Sequence, residues 1–184
     1  MIRHADPSAD AADCAAIYGP FVAQTAVSFE REPPDAVEMA RRIGRAAATH
    51  PWLVTEVGQR VVAFAYASPH RSREAYRWTA DVSVYVGPRH RRRGLGRELY
   101  MALFGLLRRQ GICAACAGIT LPNQASVGLH ESLGFLPVGV YRAIGWKAGA
   151  WRDVGWWQLQ LLARGDAAPS SPRGPQRLEP VSRR

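Results

Sequence analysis

No apolar run in this 184-residue chain approaches the roughly 20 residues that a helix needs to cross a bilayer. Its first ten residues, MIRHADPSAD, lack the apolar stretch of a secretory signal. Both absences point to a cytoplasmic setting with no membrane partner. Cysteine is scarce, at three residues, Cys14, Cys113 and Cys116. The last two form a Cys-x-x-Cys, a spacing that can mark redox or zinc chemistry. It lies in GICAACAGITL, which reads as a buried strand. Side chains alternate along a strand, so residues three apart face opposite sides. The pair therefore reads as small buried apolar residues, since zinc would need further ligands at suitable spacing. Internal repeats are absent too. Length and an ordinary composition, 47% hydrophobic and 21% charged, suit one globular domain.

Positive charge is in surplus, with a formal net charge of +9. Part of it sits beyond Ala163, where Arg164, Arg173, Arg177, Arg183 and Arg184 outnumber Asp166 and Glu179. That segment, 164–184, is rich in Pro, Ser and Arg and is expected to be a disordered tail behind a domain spanning 1–163. The remaining surplus calls for an acidic partner. Charge alone does not say whether that is nucleic acid, a membrane or a polyanionic cofactor.

Residue patterns give a mixed α/β order. MIRHA reads as a short strand. SADAADCAAIYGPFVAQT suits a helix that Pro20 bends or ends. A second helix is expected in REPPDAVEMARRIGRAAATHP, with Pro34, Asp35 and Glu38 at its start and Val37, Met39, Ile43 and Ala47 as a buried stripe. WLVTEV and VVAFAYA form a hairpin across GQR. After the polar loop SPHRSREAYR comes the strand WTADVSVYV. Leu95, Leu99, Ala102, Leu103 and Leu106 mark one face of a helix that Gly111 stops. Then follow the strand ICAACAGIT, a short helix in QASVGLHESLGF ending at Gly134, and two Trp-rich strands. Neighbouring strands early and alternating strands and helices late argue for a layered α/β domain.

The chemistry concentrates in RRRGLGRELY. Gly94 and Gly96 stand where a strand has turned and a helix begins. Glycine lets backbone approach a ligand, and the first helical N–H groups have no intrahelical partner. With the helix dipole they make an anion site, which Arg91, Arg92, Arg93 and Arg97 can supplement through forked hydrogen bonds. Neither the phosphate-loop pattern GxxxxGK[ST] nor the third glycine of the dinucleotide fingerprint is present. A nucleic-acid module could use the same basic run, and would bind with strong salt dependence.

Arg91-x-x-Gly94-x-Gly96 resembles the R/Q-x-x-G-x-G/A signature of the GNAT acetyltransferases. A second block, LPNQASVGLHESLGF, is similar to that family's N-x-x-[AS]-x-x-x-[LY]-[YH]-E-x-x-G-F segment through Asn123, Ser126, His130, Glu131, Gly134 and Phe135. The glycine spacing and this second block do not follow from nucleic-acid binding. TAVSFEREPP, HPWLVTEV, AYASP, AYRWTADVSVYV and WRDVGWWQLQL narrow the likeness to the phosphinothricin N-acetyltransferase subfamily.

That resemblance implies a mostly antiparallel sheet whose two parallel central strands splay into a cleft for the cosubstrate acetyl-CoA, with flanking helices and no metal. Val84, Tyr85 and Val86 would bind the pantetheine arm through their backbone. Arg91, Arg92, Arg93, Gly94, Leu95, Gly96 and Arg97 would cradle the pyrophosphate, and Asn123 would contact the cosubstrate from the next loop. The acceptor would be the α-amino group of phosphinothricin, methionine sulfoximine or methionine sulfone. Another amine acceptor, or a weakly catalytic acyl-CoA sensor, are the alternatives within the fold. Relatives carry a glutamate as proposed base in W-T-A-E, where this chain has Asp81, one methylene shorter. His130 stands where many members have a tyrosine that protonates the departing thiolate. Arg71, Arg73 and Arg77 are expected to anchor acceptor anions, and Phe29, Tyr76, Trp78 and Trp151 to wall the pocket. Subfamily members form homodimers.

Overall fold

The computed structural model describes residues 1–163, 165, 167 and 169–175. Seven strands form one sheet in the order β1-β2-β3-β4-β5-β7-β6. Strand β1 (Ile2–His4) pairs with β2 (Trp52–Val57), and β2 pairs with β3 (Arg60–Pro69). The β2–β3 turn is Gly58–Gln59 with both φ angles positive, 57° and 63°, the geometry that matches the twist of a two-residue hairpin. Strand β3 pairs antiparallel with β4 (Thr79–Val86). Among the described residues, the one parallel neighbour pair joins β4 to β5 (Ala114–Leu121). Strands β7 (Ala150–Gln160) and β6 (Leu136–Lys147) complete the far side. This is the mixed, mostly antiparallel sheet expected from the sequence.

Helices α1 (Pro7–Gln24) and α2 (Ala36–Ala47) cover one face, and α3 (Leu95–Gln110) covers the other. Asp6 caps α1 by accepting from the Ser8 and Ala9 amides, and Asp35 caps α2 by accepting from Glu38 N–H. Pro20 does not end α1, which continues to Gln24. Buried Cys14, Ile17, Tyr18 and Val22 flank the proline on both sides, and their packing outweighs the roughly 3 kcal/mol that an interior proline costs. In α2 only part of the expected stripe is inward. Met39 and Ile43 are buried, whereas Val37 is 78% exposed and Ala47 faces solvent.

Under α3 lie Leu99, Tyr100, Leu103, Phe104, Leu106 and Leu107, all buried against Ala65, Ala80, Val82, Ala115 and Ala117 of the sheet. Small residues on the strands let the helix lie close. Gly111, at φ 87°, closes α3 as expected. Helix α4 (Gln124–Ser132) follows β5.

The segment expected to be disordered falls partly outside the described residues. Within the described part, Ser170 C=O accepts from Trp78 Nε1 at 2.8 Å, Arg173 N–H donates to Gln110 C=O at 2.7 Å, and Gln110 Nε2 donates to Arg173 C=O at 3.2 Å.

Candidate active site

Strands β4 and β5 pair over only three positions, Thr79 with Ala114, Ala80 with Ala115 and Asp81 with Cys116. Beyond them β4 runs on to Val86 and β5 to Leu121 without pairing to each other. A slot of about 70 Å³ lies between the diverging strands, lined by Val82–Tyr85 on one side and Ala117–Thr120 on the other. Tyr100, Asn123, Ser126 and His130 close its floor and far end. A wider basin of about 350 Å³ shares Val27, Val82, Ser83, Gly118 and Thr120 with the slot and adds Phe29, Ser68, Asp81, Val154 and Trp156. Ser68 also borders a third chamber of about 410 Å³, where Tyr18, Trp52, Phe64, Tyr66 and Tyr85 meet Arg42.

Strand alternation explains which side chains face the basin. Ala80 and Val82 point into the core beneath α3, so Asp81 and Ser83 point the other way. Asp81 therefore stands at the vertex where the two strands part. His70, just past the end of β3, donates from Nδ1 to Asp81 Oδ1 at 2.6 Å. The imidazole is held edge-on by Tyr76 and Trp156, each with its ring centroid 5.8 Å away. The backbone N–H of His70 reaches Thr79 C=O at 3.4 Å, extending the β3–β4 ladder. Burial pushes the Asp81 carboxyl above its ordinary value, while the His70 hydrogen bond and the nearby charges of His70 and Arg71 oppose that rise. A shortened acid is thus fixed by a neighbour that had been read as part of a polar loop.

His130 is 3% exposed, and both of its ring nitrogens are engaged. A carbonyl only accepts, so Nδ1–H donates to Ser126 C=O at 2.7 Å, leaving Nε2 to accept from the Tyr100 hydroxyl at 3.0 Å. Burial lowers its basicity, with the Ser126 hydrogen bond acting against that. The ring is neutral, and its one proton points at the helix backbone rather than into the slot.

The start of α3 fits a polyanion. Gly94 is the N-cap, at φ 82°, and offers no side-chain hydrogen bond. The first intrahelical bond is Glu98 N–H to Gly94 C=O, so the amides of Leu95, Gly96 and Arg97 lie ahead of it. At Gly96 a Cβ would make ordinary contacts, 3.4 Å to Leu129 and 3.8 Å to Val84 and Val86, so alanine would fit there and larger side chains would press on α4. Arg92 and Arg93 are exposed beside this terminus. Arg97 donates to Ser132 C=O at 3.1 Å, tying α3 to α4. Arg91 reaches back to Val86 C=O at 3.5 Å and lies over the Phe21 ring. Asn123 caps α4, with Oδ1 accepting from Ser126 N–H.

The acceptor-side expectations divide. Phe29 lines the basin, and its ring occupies the space left by the missing side chain of Gly145. The Arg71 guanidinium lies 5.6 Å from the centre of the Trp156 ring and donates to His70 C=O at 2.8 Å; it stacks on a wall residue of the basin without lining the basin itself. Tyr76 does not line the basin but braces His70. Arg77 pairs with Glu74 at 3.0 Å and lies over Trp78. Arg73 is exposed at the start of a short 3-10 turn, Glu74–Tyr76. Trp151 packs edge-on against Trp146 on the β6–β7 hairpin, away from the basin. Sequence reasoning missed His70, Ser68, Thr120 and Trp156. Trp156 lies over Gly118, where a Cβ would come within 3.2 Å of its ring.

With the geometry in place, comparison with known proteins is direct. Residues 16–135 match the family model described as the acetyltransferase (GNAT) family. The chain is 42% identical to a phosphinothricin N-acetyltransferase of Streptomyces viridochromogenes, over 89% of this chain and 91% of that one. It is 39% identical to an L-methionine sulfoximine/L-methionine sulfone acetyltransferase of Salmonella typhimurium, over 83% and 92%. Among solved structures, a phosphinothricin acetyltransferase from Sinorhizobium meliloti in complex with acetyl-CoA superposes with a TM-score of 0.87 at 31% identity, covering 92% of each chain.

Proposed function

The chain belongs to the GNAT acetyltransferase family, and on that premise we propose that it acetylates the α-amino group of a small amino-acid analogue of the phosphinothricin, methionine sulfoximine or methionine sulfone type. It is an N-acetyltransferase, and acetyl-CoA, when bound, supplies the activated acetyl group as a thioester. The observation that carries the acceptor reading is Asp81, held by His70 at the vertex of the slot and facing the basin.

Each residue then has a task. The backbone of Val84, Tyr85 and Val86 and the side chain of Asn123 hold the pantetheine arm along the slot. The amides of Leu95, Gly96 and Arg97, with Arg92 and Arg93, hold the pyrophosphate. Arg71, stacked on Trp156, takes the acceptor's anionic group, and Phe29 and Trp156 wall its carbon chain. Asp81 takes a proton from the acceptor ammonium, which frees the nitrogen lone pair. His70 keeps the short carboxylate aimed, so that one oxygen is fixed and the other is left for the amine. His130 has no proton to release without breaking its bond to Ser126, so we assign it to holding Tyr100 and the slot wall.

A homodimer is part of the proposal. Along edge strand β6, Val138, Val140, Tyr141, Ile144 and Trp146 are exposed, as is Trp151 of β7. An exposed apolar edge strand is a surface that native chains cover, and a second copy is the cover that the family resemblance implies. A cytoplasmic site of action belongs to the same reading. Among the described residues, no helix is long and apolar enough to cross a membrane.

The test is thiol release from acetyl-CoA against a panel of amino-acid analogues, with wild type and Asp81→Asn. Wild type should turn over methionine sulfoximine or phosphinothricin. Asp81→Asn should lose about 10²–10⁴-fold in kcat, the usual worth of a general base, with acetyl-CoA affinity unchanged. Binding of acetyl-CoA without turnover on any analogue would overturn the acceptor reading and favour an acyl-CoA sensor.

A further inference from the structure

We propose that His70, Asp81 and Cys116 form a zinc site that silences the enzyme reversibly. The metal was not expected from the sequence, because Cys113 and Cys116 cannot share an ion and no other ligand stood near them in the chain. Sheet register supplies what spacing did not. Asp81 and Cys116 are direct partners across the β4–β5 pair, and partners in a ladder share a face. Ser68 pairs with Asp81 from β3, and His70 lies two residues beyond it. Three adjacent strands thus bring an imidazole, a carboxylate and a thiol to one spot, with one ligand atom from each residue lying within 4.8 Å of the others.

The donor set selects the metal class. Nitrogen, oxygen and sulfur ligands together suit Zn²⁺, which takes all three in tetrahedral sites. A carboxylate and a thiolate carry two negative charges and the imidazole none, so the bound ion forms an electrically neutral unit. That matters in a half-buried place, where uncompensated charge is costly. The side chains of His70 and Asp81 are 17% and 29% exposed, so the ion has a route in from the basin. Three protein ligands leave a fourth position open towards that basin, for water or for the acceptor. Binding replaces the Cys116 thiol proton, which leaves to solvent, and breaks the His70–Asp81 hydrogen bond, the imidazole proton residing on whichever ring nitrogen does not bind the ion. It also takes the Asp81 carboxylate away from the acceptor amine, and the enzyme stops.

Cobalt is the direct probe, since thiolate-bound Co²⁺ gives an intense near-ultraviolet charge-transfer band. Titration of the chelator-treated wild-type protein with Co²⁺ should raise that band to saturation at one ion per chain, and Zn²⁺ should bleach it. Cys116→Ser should abolish the band, and Cys113→Ser should retain it. In the thiol-release assay with buffered Zn²⁺, activity should fall at least about tenfold and return with chelator. Cys116→Ala should raise the half-inhibiting zinc concentration by about tenfold or more, at least what an outer-shell partner is worth to a metal site. The inhibition arm rests on Asp81 being the base, whereas the cobalt arm does not, so failure of one is separable from failure of the other. No saturable band in wild type, or a band that survives Cys116→Ser, would overturn the site. His70→Gln gives a second check that does not touch the buried cysteine, and cobalt affinity unchanged in that variant would also refute it.

Discussion

Replacing Gly94 separates backbone geometry from charge at the α3 terminus. Gly94 sits at φ 82° and ψ −10°. A Cβ there would meet nothing closer than Glu98 Oε1 at 3.7 Å, so space does not oppose the substitution. Conformation does. The left-handed region costs an L residue about 1–2 kcal/mol, and strained positions reach about 3 kcal/mol, with β-branched residues at the upper end. The chain relieves this by swinging the Gly94 peptide, which turns the Leu95 and Gly96 amides off their common aim. At 1.4 kcal/mol per decade, Kd for acetyl-CoA should rise about tenfold for Gly94→Ala and about 100-fold for Gly94→Val. Asparagine tolerates the left-handed region, so Gly94→Asn should bind more tightly than Gly94→Ala despite its size. Arg92 and Arg93 are exposed, so their charge would reach a bound pyrophosphate largely through water. Their alanine variants should cost only a few-fold each, and less at high salt. Calorimetry at two ionic strengths measures all five variants. Wild-type affinity in Gly94→Val, or weaker binding by Asn than by Ala, would refute the requirement for a left-handed glycine and return the site to simple charge.

Other outcomes follow from the same geometry. His70→Phe keeps a ring between Tyr76 and Trp156 but removes the 2.6 Å hydrogen bond; kcat should fall about tenfold, the low end of what a bond to a charged group is worth, while acetyl-CoA affinity holds. Arg71→Ala should raise KM for the acceptor about tenfold with kcat little changed, and equal loss in both would remove Arg71 as an anchor. Burial depresses the basicity of His130 and His50 in the fold. The unfolded chain therefore binds protons first, and stability is full above the ordinary imidazole range and lost as pH falls through it. Denaturant midpoints measured between pH 7.5 and 5 should show this fall, with a shallower slope in His130→Gln. Trp146→Glu with Trp151→Glu should yield monomers by light scattering if β6 is the dimer face, and an unchanged mass would place the interface elsewhere.

The glycine motif was legible because its residues are consecutive and its physics is local. Gly94 takes a positive φ where the helix begins, and that requirement is written at its own position. Asp81 was legible only through its likeness to the W-T-A-E segment; that it faces away from core-facing Ala80 and Val82 came with the structure. His70 was not legible, because its partner is reached only once β3 and β4 pair in register, Ser68 against Asp81. Cys116 escaped for the same reason, through the parallel β4–β5 pair. His130 was half legible: its Ser126 partner is one helical turn back, but the Tyr100 hydroxyl that occupies its other nitrogen comes from a separate helix. Arginine-rich composition around 71–77 could not tell Arg71, stacked on Trp156, from Arg77, spent on Glu74 and Trp78.

The three-residue junction between β4 and β5 also makes the sheet a seamed object. On one side, β1 to β4 carry α1 and α2; on the other, β5 to β7 form a second patch of ladder. Beyond Asp81 and Cys116 the two patches face each other across unpaired backbone, joined by one apolar core to which both contribute, while α3 itself packs on β2, β3 and β4. Such a division invites opening in units rather than all at once. The residues from Ser170 to Arg173 clasp the closed end through Trp78 and Gln110. On the proposed function, a cosubstrate lying in the slot would clasp the open end, as an extra strand borrowed from solution. Its concentration would then set how long the seam stays shut, and amide exchange along Val82–Val86 and Ala117–Leu121 would gauge cosubstrate supply.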